Sequence, residues 1–340
     1  MKVQYYIIRR LVLAIFVLFG ISVITFFIAR VIPSEPAARW VGLHATAEQV
    51  AAARVELGLD KPLYVQYYVY MKNLLHGDWG VSIVTHQPVL KDIKEYLPAS
   101  LELIIVGMLI GMVVGIFFGV LSATKKNKLI DHVCRFISIG GVSLPTFWLG
   151  MMLQLIFFRE LGILPLAERI DPTLRFTSPL THVTGLYILD SIITWNWAAF
   201  KSSSAHIILP ALTLSGYPMG LVTRMTRSSL IEVLNEDYIR VAQAYGISER
   251  TIKYRYALKN AISPTITVLA LCFAYTLTST FLIEAVFNWP GLGGYASRAI
   301  LAMDYPAIMG VTLLVATFYV LINLFVDLVH AFIDPRIVLE

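Results

Sequence analysis

The sequence has few charged residues for its length. Asp, Glu, Lys and Arg make up 14% of the 340 residues, whereas hydrophobic residues make up 57%, and the mean hydropathy is +0.72. A soluble globular domain normally contains about 25% charged residues and a smaller fraction of hydrophobic residues. The composition therefore excludes an ordinary soluble domain and predicts an all-α polytopic membrane protein.

Cysteine is also scarce, and the two cysteines are not arranged for a disulfide or a metal. Cys134 and Cys272 lie in or beside apolar runs, and no C-x-x-C or Cys/His spacing occurs. The seven histidines are scattered along the chain. We expect neither a disulfide framework nor a metal site.

Several kinds of chemistry are missing from the sequence. No G-x-x-x-x-G-K-[ST] loop is present to hold phosphates, since the glycine-rich residues 291–294 lack the lysine. The apolar runs contain no carboxylate pair, no Ser/His/Asp order and no H-E-x-x-H motif. We therefore predict no catalytic residue and no cofactor in this chain, which is not expected to be an enzyme.

Charge inside the apolar runs is nearly absent, which argues against a proton-coupled carrier. Glu284 and Asp327 stand near the ends of such runs, where a carboxylate that reaches the interface or pairs with a helix end is favoured over an ion relay. The net charge of +5 does not require a nucleic-acid partner. Many of the basic residues fall in short connections that are predicted to be cytoplasmic.

Six apolar runs are long enough to cross ~30 Å of hydrocarbon. They predict six transmembrane helices, at residues 11–29, 103–124, 136–158, 207–223, 261–283 and 305–326. Basic clusters at Arg9 and Arg10, at Lys125 and Lys126, and at Arg224 place the neighbouring helix ends in the cytoplasm, and both termini with them. The predicted divisions are an N-terminal segment with the first helix (1–29), an extracytoplasmic loop region (30–102) and a five-helix core (103–340).

Two features inside the predicted spans suggest how the helices pack. Glycines recur every four residues in the second span, at Gly107, Gly111, Gly115 and Gly119, which lets another helix approach closely. Pro145 must kink or break the third span. Such a break either lines a pathway or is a packed kink, and polar groups in the spans are either pathway residues or helix-packing groups. The pathway candidates are Ser143, Pro145, Gln154, Ser215, Thr276 and Ser279.

The segment 235–264, called here the coupling loop, predicts a helix, a turn and a second helix. Residues 237–245 favour a short helix that ends at Gly246, which enters the left-handed conformation without steric cost. Ser248 suits the N-cap of the next helix, with Glu249 in its first turn. Apolar runs on both sides would hold this segment at a membrane surface, so DNA binding is not expected.

The coupling loop resembles the EAA loop of the membrane subunits of ABC importers, and specifically the B-type permease of dipeptide and oligopeptide importers. The matching positions are Arg224-Met225-Thr226-Arg227-Ser228-Ser229, Glu236-Asp237-Tyr238-Ile239-Arg240, Ala242, Ala244, Gly246, Asn260-Ala261 and Pro264. Tyr245 and Ser263 depart from the usual pattern, which has a basic residue and a leucine there. The resemblance implies that a short coupling helix docks into a groove on a cytoplasmic ATPase. The expected docking residues are Glu236, Asp237, Tyr238, Ile239, Arg240, Ala242, Ala244, Gly246, Ile247, Ser248 and Arg250, with apolar or small surface at Tyr238, Ile239, Ala242 and Ala244; the alternative is a solvated loop.

The resemblance extends over the whole chain. Matching motifs are Glu56-Leu57-Gly58-Leu59-Asp60-Lys61-Pro62, His76-Gly77-Asp78, Ser178-Pro179-Leu180-Thr181, Phe287-Asn288-Trp289-Pro290-Gly291-Leu292-Gly293 and Asp304-Tyr305-Pro306. It implies a type I ABC importer permease fold in the cytoplasmic membrane. The implied partners are a homologous second permease, two cytoplasmic ATPase subunits that bind ATP and Mg, and an extracytoplasmic substrate-binding protein. Import of nickel or oligosaccharides stays open within this class, and an ATP-independent secondary carrier is the alternative outside it.

The motif Trp289-Pro290-Gly291-Leu292 predicts an extracytoplasmic turn between the last two spans. A tryptophan beside a rigid proline and a flexible glycine can present an aromatic anchor to a binding protein. The alternative is an interfacial tryptophan that holds the helix ends at headgroup depth.

Overall fold

The computed structural model describes residues 3–31, 36–42 and 45–333, and within these ranges the chain is built from helices. Backbone pairing of the β type occurs there only as one isolated bridge, between Val81 and Pro88. Two π-helical segments, Gln154–Glu160 and Ile252–Ala257, follow α7 and α12. The α-helices are α1 (Val3–Val31), α2 (Pro36–Val41), α3 (Ala47–Glu56), α4 (Leu63–Leu75), α5 (Val89–Thr124), α6 (Leu129–Ser143), α7 (Thr146–Leu153), α8 (Leu174–Thr177), α9 (Tyr187–Ile193), α10 (Trp197–Leu234), α11 (Asp237–Ala244), α12 (Glu249–Thr251), α13 (Leu258–Ala261), α14 (Ser263–Val286), α15 (Leu292–Ala302) and α16 (Tyr305–Ile333).

The helices of membrane-spanning length agree with six spans. In the described ranges α1, α5, α10 and α16 are each long and apolar enough to cross a membrane. Two bent pairs reach the same length, α6 with α7 and its π-helical extension, and α12–α13 with α14. Counting each bent pair as one span gives the six spans expected from the sequence.

Two of the predicted spans are much longer than their apolar runs indicated. The second was predicted to begin at residue 103, yet α5 begins at Val89; the fourth was predicted at 207–223, yet α10 runs from Trp197 to Leu234. An apolar run marks only the part of a helix that is suited to hydrocarbon. These helices extend beyond their apolar runs, where other segments of the protein pack against them. Val89 and Ile93 of α5, for example, are buried against Leu292 of α15.

The glycine stripe of α5 is the contact surface for α10, as the spacing predicted. A Cβ at Gly111 would lie 2.9 Å from the Pro218 ring, and a Cβ at Gly115 would lie 2.7 Å from Cγ1 of Val222. Gly107 and Gly119 face Leu214 and Thr226 in the same way. Since these α10 residues recur every four positions, the two helices pack along four successive turns.

The predicted break in the third span is confirmed. α6 ends at Ser143, α7 begins at Thr146, and the two helices meet at 112°. Pro145 caps α7, where it removes no helical hydrogen bond. Both Ser143 and Pro145 are exposed.

The segment between α1 and α5 has its own helices. The helix α3 begins at Ala47, and its N-cap Thr46 forms a capping box with Gln49. A turn follows α4, where Gly77 and Gly80 have left-handed φ values of +86° and +84°. α1 packs on α16 through Phe26, Ala29 and Met309.

Candidate functional site

The coupling loop has the geometry predicted for it. α11 ends at Ala244, and Gly246 takes a left-handed φ of +74° while its N–H donates to the carbonyl of Gln243 at 2.9 Å. Ser248 then caps α12 by accepting from the N–H of Thr251. The chain therefore reverses direction between two short helices at a position where a side chain would strain the backbone.

One face of α11 is buried in this chain and is not available to a partner. Ile239 and Ala242 pack against Leu230 of α10 and against Ile252 and Ala257. The prediction that Ile239 and Ala242 belong to an exposed docking surface is therefore wrong. On an eight-residue helix the more apolar face is used to attach the helix to its own core.

The opposite face of α11 is exposed and is partly apolar. It presents Tyr238 and Val241, with Tyr245 just beyond the helix at 82% exposure. Asp237 and Arg240 form an ion pair at 3.0 Å beside this face. Glu236, Ala244, Gly246, Ser248 and Arg250 are exposed as well, whereas Ile247 is half-buried. Sequence reasoning missed Val241 and Tyr245, although both share a helical face with Tyr238 at positions i+3 and i+7.

The coupling loop is held to the long helices by polar contacts as well as by packing. The Nδ2 of Asn260 donates to the hydroxyl of Tyr238 at 2.8 Å, which ties α11 to α13. Thr226 of α10 and Thr265 of α14 are joined through their hydroxyls at 3.1 Å. Movement of α11 would therefore be passed to α10 and α14.

A buried ion pair joins three helix ends beside the coupling loop. Asp131 of α6 is fully buried, and its two oxygens accept bidentate hydrogen bonds from Arg227 of α10, each 2.9 Å long. Ser122 of α5 and the N–H of Asn127 donate to the same carboxylate. Four donors compensate the cost of burying the charge, so that this pair fixes α5, α6 and α10 relative to one another. Sequence reasoning named Arg227 as part of a matching motif and missed its partner.

Trp289, predicted as an exposed anchor or an interfacial residue, is buried in the protein at the opposite end of the bundle. Its side chain is 3% exposed, and its Nε1 donates to the carbonyl of Ala99 at 2.9 Å. Gly291 and Leu292 are also buried, and only Pro290 of the motif is exposed. The interpretation of Trp289 as an exposed anchor is therefore wrong. The predicted turn is also shorter than expected, because α15 begins at Leu292.

Glu284 explains why this motif is rich in glycine. Its carboxylate accepts from the hydroxyl of Ser100 at 2.5 Å and from the N–H of Gly294, in the first turn of α15, at 2.9 Å. A Cβ on Gly291 would collide with the same carboxylate. The interpretation of Glu284 as a carboxylate paired with a helix end is therefore confirmed.

The segment between α7 and α10 is anchored by charges that sequence reasoning did not connect. Arg169 forms a buried ion pair with Glu102 at 2.5 Å and stacks on Tyr187, whose ring centroid is 3.6 Å away. Asp190 accepts hydrogen bonds from Thr184 and from the backbone N–H groups of Val183 and Gly185. Burial raises the pKa of Asp190, but these hydrogen bonds outweigh it and hold the pKa below its usual range.

The pathway candidates do not share one surface. Ser215 and Thr276 are buried, and their hydroxyls donate to the carbonyls of Leu212 and Cys272 in their own helices. They are packing groups in this structure, and the prediction that they line a pathway is wrong. Gln154 donates to the carbonyls of Leu166 and Val286, and Ser279 to the carbonyl of Thr276. Ser143 and Pro145 remain exposed at the break between α6 and α7.

Comparison with known proteins identifies the family. Residues 115–339 match the family model described as binding-protein-dependent transport system inner membrane component, and residues 3–104 match the model of its N-terminal region. The chain is 45% identical to the probable D,D-dipeptide transport system permease protein DdpB of Escherichia coli K12, over 95% of this chain and 94% of that protein. It is 44% identical to the dipeptide transport system permease protein DppB of Alkalihalophilus pseudofirmus, and 38% identical to the di/tripeptide transport system permease protein DppB of Pseudomonas aeruginosa, in both cases over 98% of each chain. The chain therefore belongs to the family of binding-protein-dependent transport system inner membrane components, with the type I ABC permease fold.

Proposed function

We propose that this chain is a permease subunit of an ATP-driven importer that moves di- or oligopeptides into the cytoplasm. The observation that carries the proposal is the exposed face of α11, formed by Tyr238, Val241 and Tyr245, on a helix whose other face is fixed to α10. The names of three similar proteins, each a dipeptide or di/tripeptide permease, support the substrate class.

In this proposal the coupling loop lies in the cytoplasm and contacts one of two ATPase subunits, which hold ATP and Mg. The helix-in-groove mode of recognition suits a short helix with an aromatic and aliphatic face. A homologous permease completes the membrane unit, and an extracytoplasmic binding protein delivers the substrate. Both termini lie in the cytoplasm of a cell whose cytoplasmic membrane holds the complex.

Energy coupling follows from the packing around α11. ATP binding draws the ATPase subunits together and displaces α11, which carries α10 and α14 with it through the contacts of Ile239 and Asn260. α10 is fixed to α5 by the glycine stripe and to α6 by Asp131. These helices therefore move as one body, which opens or closes a pathway along the second permease.

The experiment co-expresses this chain with a peptide-binding protein, a second permease and ATPase subunits of the same kind of importer. We expect ATP-dependent uptake of a labelled dipeptide by proteoliposomes that contain the complex. Val241→Glu should reduce copurification of the ATPase subunits, because it places a charge on the exposed apolar face of α11. The matched control is Leu161→Glu, which adds the same charge at an exposed leucine at the opposite end of the bundle. Peptide uptake by this chain without ATPase subunits would refute the proposal.

A further inference from the structure

A cavity of about 440 Å³ lies between α10 and α14, beside the coupling loop. On α10 it is lined by Tyr217, Leu221, Arg224 and Ser228, which are three or four residues apart and so share one helical face. On α14 its wall includes Val268 and Leu271. Its volume lies within the ~300–1,000 Å³ range of small-molecule sites. None of the pathway candidates chosen from the sequence lines it.

Among the described residues that line this cavity, Arg224 alone has a charged side chain. Within the described part of the chain it forms no ion pair and no hydrogen bond, whereas Arg227, one turn further along α10, is bound by Asp131 through two hydrogen bonds. The two arginines of one short motif therefore have different surroundings. Arg227 is paired with a buried carboxylate, whereas Arg224 has an exposed side chain that forms part of the wall of a mostly apolar cavity.

The chemistry of the lining selects an anion with an apolar body. A guanidinium matches a carboxylate through two parallel N–H···O bonds. The hydroxyl of Ser228 stands one turn from Arg224 and adds a further donor, while Leu221, Val268 and Leu271 offer apolar contact. The phenol ring of Tyr217 packs on Tyr275, with ring centroids 4.6 Å apart, and bounds the cavity on the side away from the coupling loop.

We propose that this cavity is the cytoplasmic-side peptide site of the permease, where Arg224 and Ser228 bind the C-terminal carboxylate of the transported peptide. The apolar wall takes its side chains. This inference rests on the proposed function for the nature of the ligand and for the side of the membrane. It adds which end of the peptide is recognised in the membrane and by which residues.

The test measures protection of a single reporter thiol in the complete transporter, held in nanodiscs of phosphatidylcholine alone. Met225, which lines the cavity, is replaced by cysteine, and its reaction with a maleimide is followed by mass spectrometry of this chain. Cys272 is buried but also lines the cavity, so Cys272→Ala is present in every chain of this test, and the chain without the reporter gives the background of the buried Cys134. The probes are dialanine and its C-terminal amide. We expect dialanine to protect the thiol at a concentration at least 10-fold lower than the amide.

Three variants in the reporter background separate the roles of charge and position. Arg224→Gln should abolish the preference for the free carboxylate, and Arg224→Lys should retain part of it, because lysine keeps the charge but not the bidentate geometry. Lys126→Gln is the matched control, since it removes an exposed cation that does not line the cavity, and it should behave like the parent.

Several results would overturn the proposal. Equal protection of the thiol by dialanine and by its amide would show that the cavity recognises the shape of the peptide and not its carboxylate. Loss of the preference for dialanine in Lys126→Gln as well would show that the preference comes from the general positive charge of this end of the protein. If added anionic lipid protects the thiol and dialanine does not, Arg224 binds a lipid headgroup phosphate. If the Arg224→Gln complex loses the second permease, Arg224 contacts that subunit. If the wild-type complex takes up dipeptide while the carboxylate preference is absent, only this site is refuted; if it takes up no peptide, the proposed function fails and this inference with it.

Discussion

Single buried carboxylates determine how the helix ends of this protein are joined. Asp131, Glu102 and Glu284 each contact a segment distant in the chain, and all three accept hydrogen bonds from two or more donors. Removing one partner of such a pair leaves the other charge buried without compensation, which is more costly than replacing both. These residues are therefore positioning groups, and they are distinct from Arg224, whose charge has no partner among the described residues.

Trp289→Ala should lower the stability of the folded protein. The substitution removes a buried indole and its hydrogen bond to Ala99, and the loss is about 3–5 kcal/mol by analogy with other large-to-small core substitutions. Thermal unfolding of the purified complex measures the change. Trp195→Ala is the control, because that side chain is 76% exposed, and its unfolding temperature should remain close to wild type. Equal unfolding temperatures for both variants would contradict the structural role of Trp289.

Asp190 should make stability sensitive to acid. Because its pKa is lower in the folded protein than in an unfolded chain, the carboxylate stabilises the fold above the ordinary aspartate pKa of ~3.9, and this contribution is lost as the pH falls through the lower folded value. Unfolding temperatures between pH 7 and pH 3 provide the measurement. Asp190→Asn should be less stable at pH 7 and should lose less stability on acidification. A wild-type acid dependence in Asp190→Asn would count against this assignment.

At the scale of elements, α11 behaves as a short amphipathic helix with two separate tasks. Its buried face attaches the helix to α10, and its exposed face remains available to a partner. Long helices provide the rigid support, because the glycines of α5 let the side chains of α10 pack directly on the α5 backbone over four turns.

Gly246→Val should uncouple transport from ATP hydrolysis while the complex still assembles. The residue has φ +74° and open space around it, so the cost is backbone strain of about 1–3 kcal/mol rather than a steric clash. Strain at this turn misaligns α11 relative to α12. The measurement is peptide transported per ATP hydrolysed. Gly246→Asn is the control, because asparagine tolerates the left-handed conformation, and it should keep most of the coupling. Normal coupling in Gly246→Val would argue against a conformational role for this turn.

Gly119→Ala should weaken the contact between α5 and α10. The new methyl group would lie 2.5 Å from Cβ of Thr226, so the helices must separate, at a cost of about 1–3 kcal/mol. Gly140→Ala is the matched control in α6, where nothing lies within 4 Å of the added carbon. We expect a lower unfolding temperature for Gly119→Ala only. A shift of similar size in Gly140→Ala would show that the loss comes from the helix backbone instead.

The two ends of the six-helix bundle differ in the segments and charged residues that they carry. One end carries the coupling loop and the exposed basic residues Lys126, Arg224 and Arg250; the other carries α2–α4 and the segment anchored by Arg169. The basic end is the one that the positive-inside rule assigns to the cytoplasm.

Cysteine labelling in intact cells tests this orientation. The single substitutions Lys126→Cys and Glu249→Cys, at exposed positions of the basic end, should give thiols that are protected from a membrane-impermeant maleimide until the membrane is permeabilised. Lys61→Cys, exposed at the other end, should react at once. The native cysteines are buried and give little background. Reaction of the Lys126→Cys or Glu249→Cys variant from outside would reverse the proposed topology.

Local sequence patterns predicted the parts of this protein that depend on neighbouring residues. The number of spans, the break at Pro145, the glycine stripe and the turn at Gly246 follow from hydrophobic length, a missing N–H donor, small side chains and backbone sterics, which act within a few residues. The start of α5 and both ends of α10 lie beyond the predicted spans because contacts with distant segments stabilise them, and hydropathy does not report such contacts.

By itself the sequence determined the membrane class, the helices and the helix-turn-helix form of the coupling loop, because each depends on interactions along the chain. Which faces of the helices are buried follows from how distant segments pack together. Trp289 and Ile239 were candidates for partner contact and proved to be core residues, while Val241 and Tyr245 proved to be exposed. Arg224 and Arg227 stand three residues apart, yet within the described part of the chain only Arg227 meets a carboxylate, because Asp131 reaches it from 96 residues away. Burial and charge pairing are properties of segments that meet in space, and the spacing of residues along one helix cannot specify them.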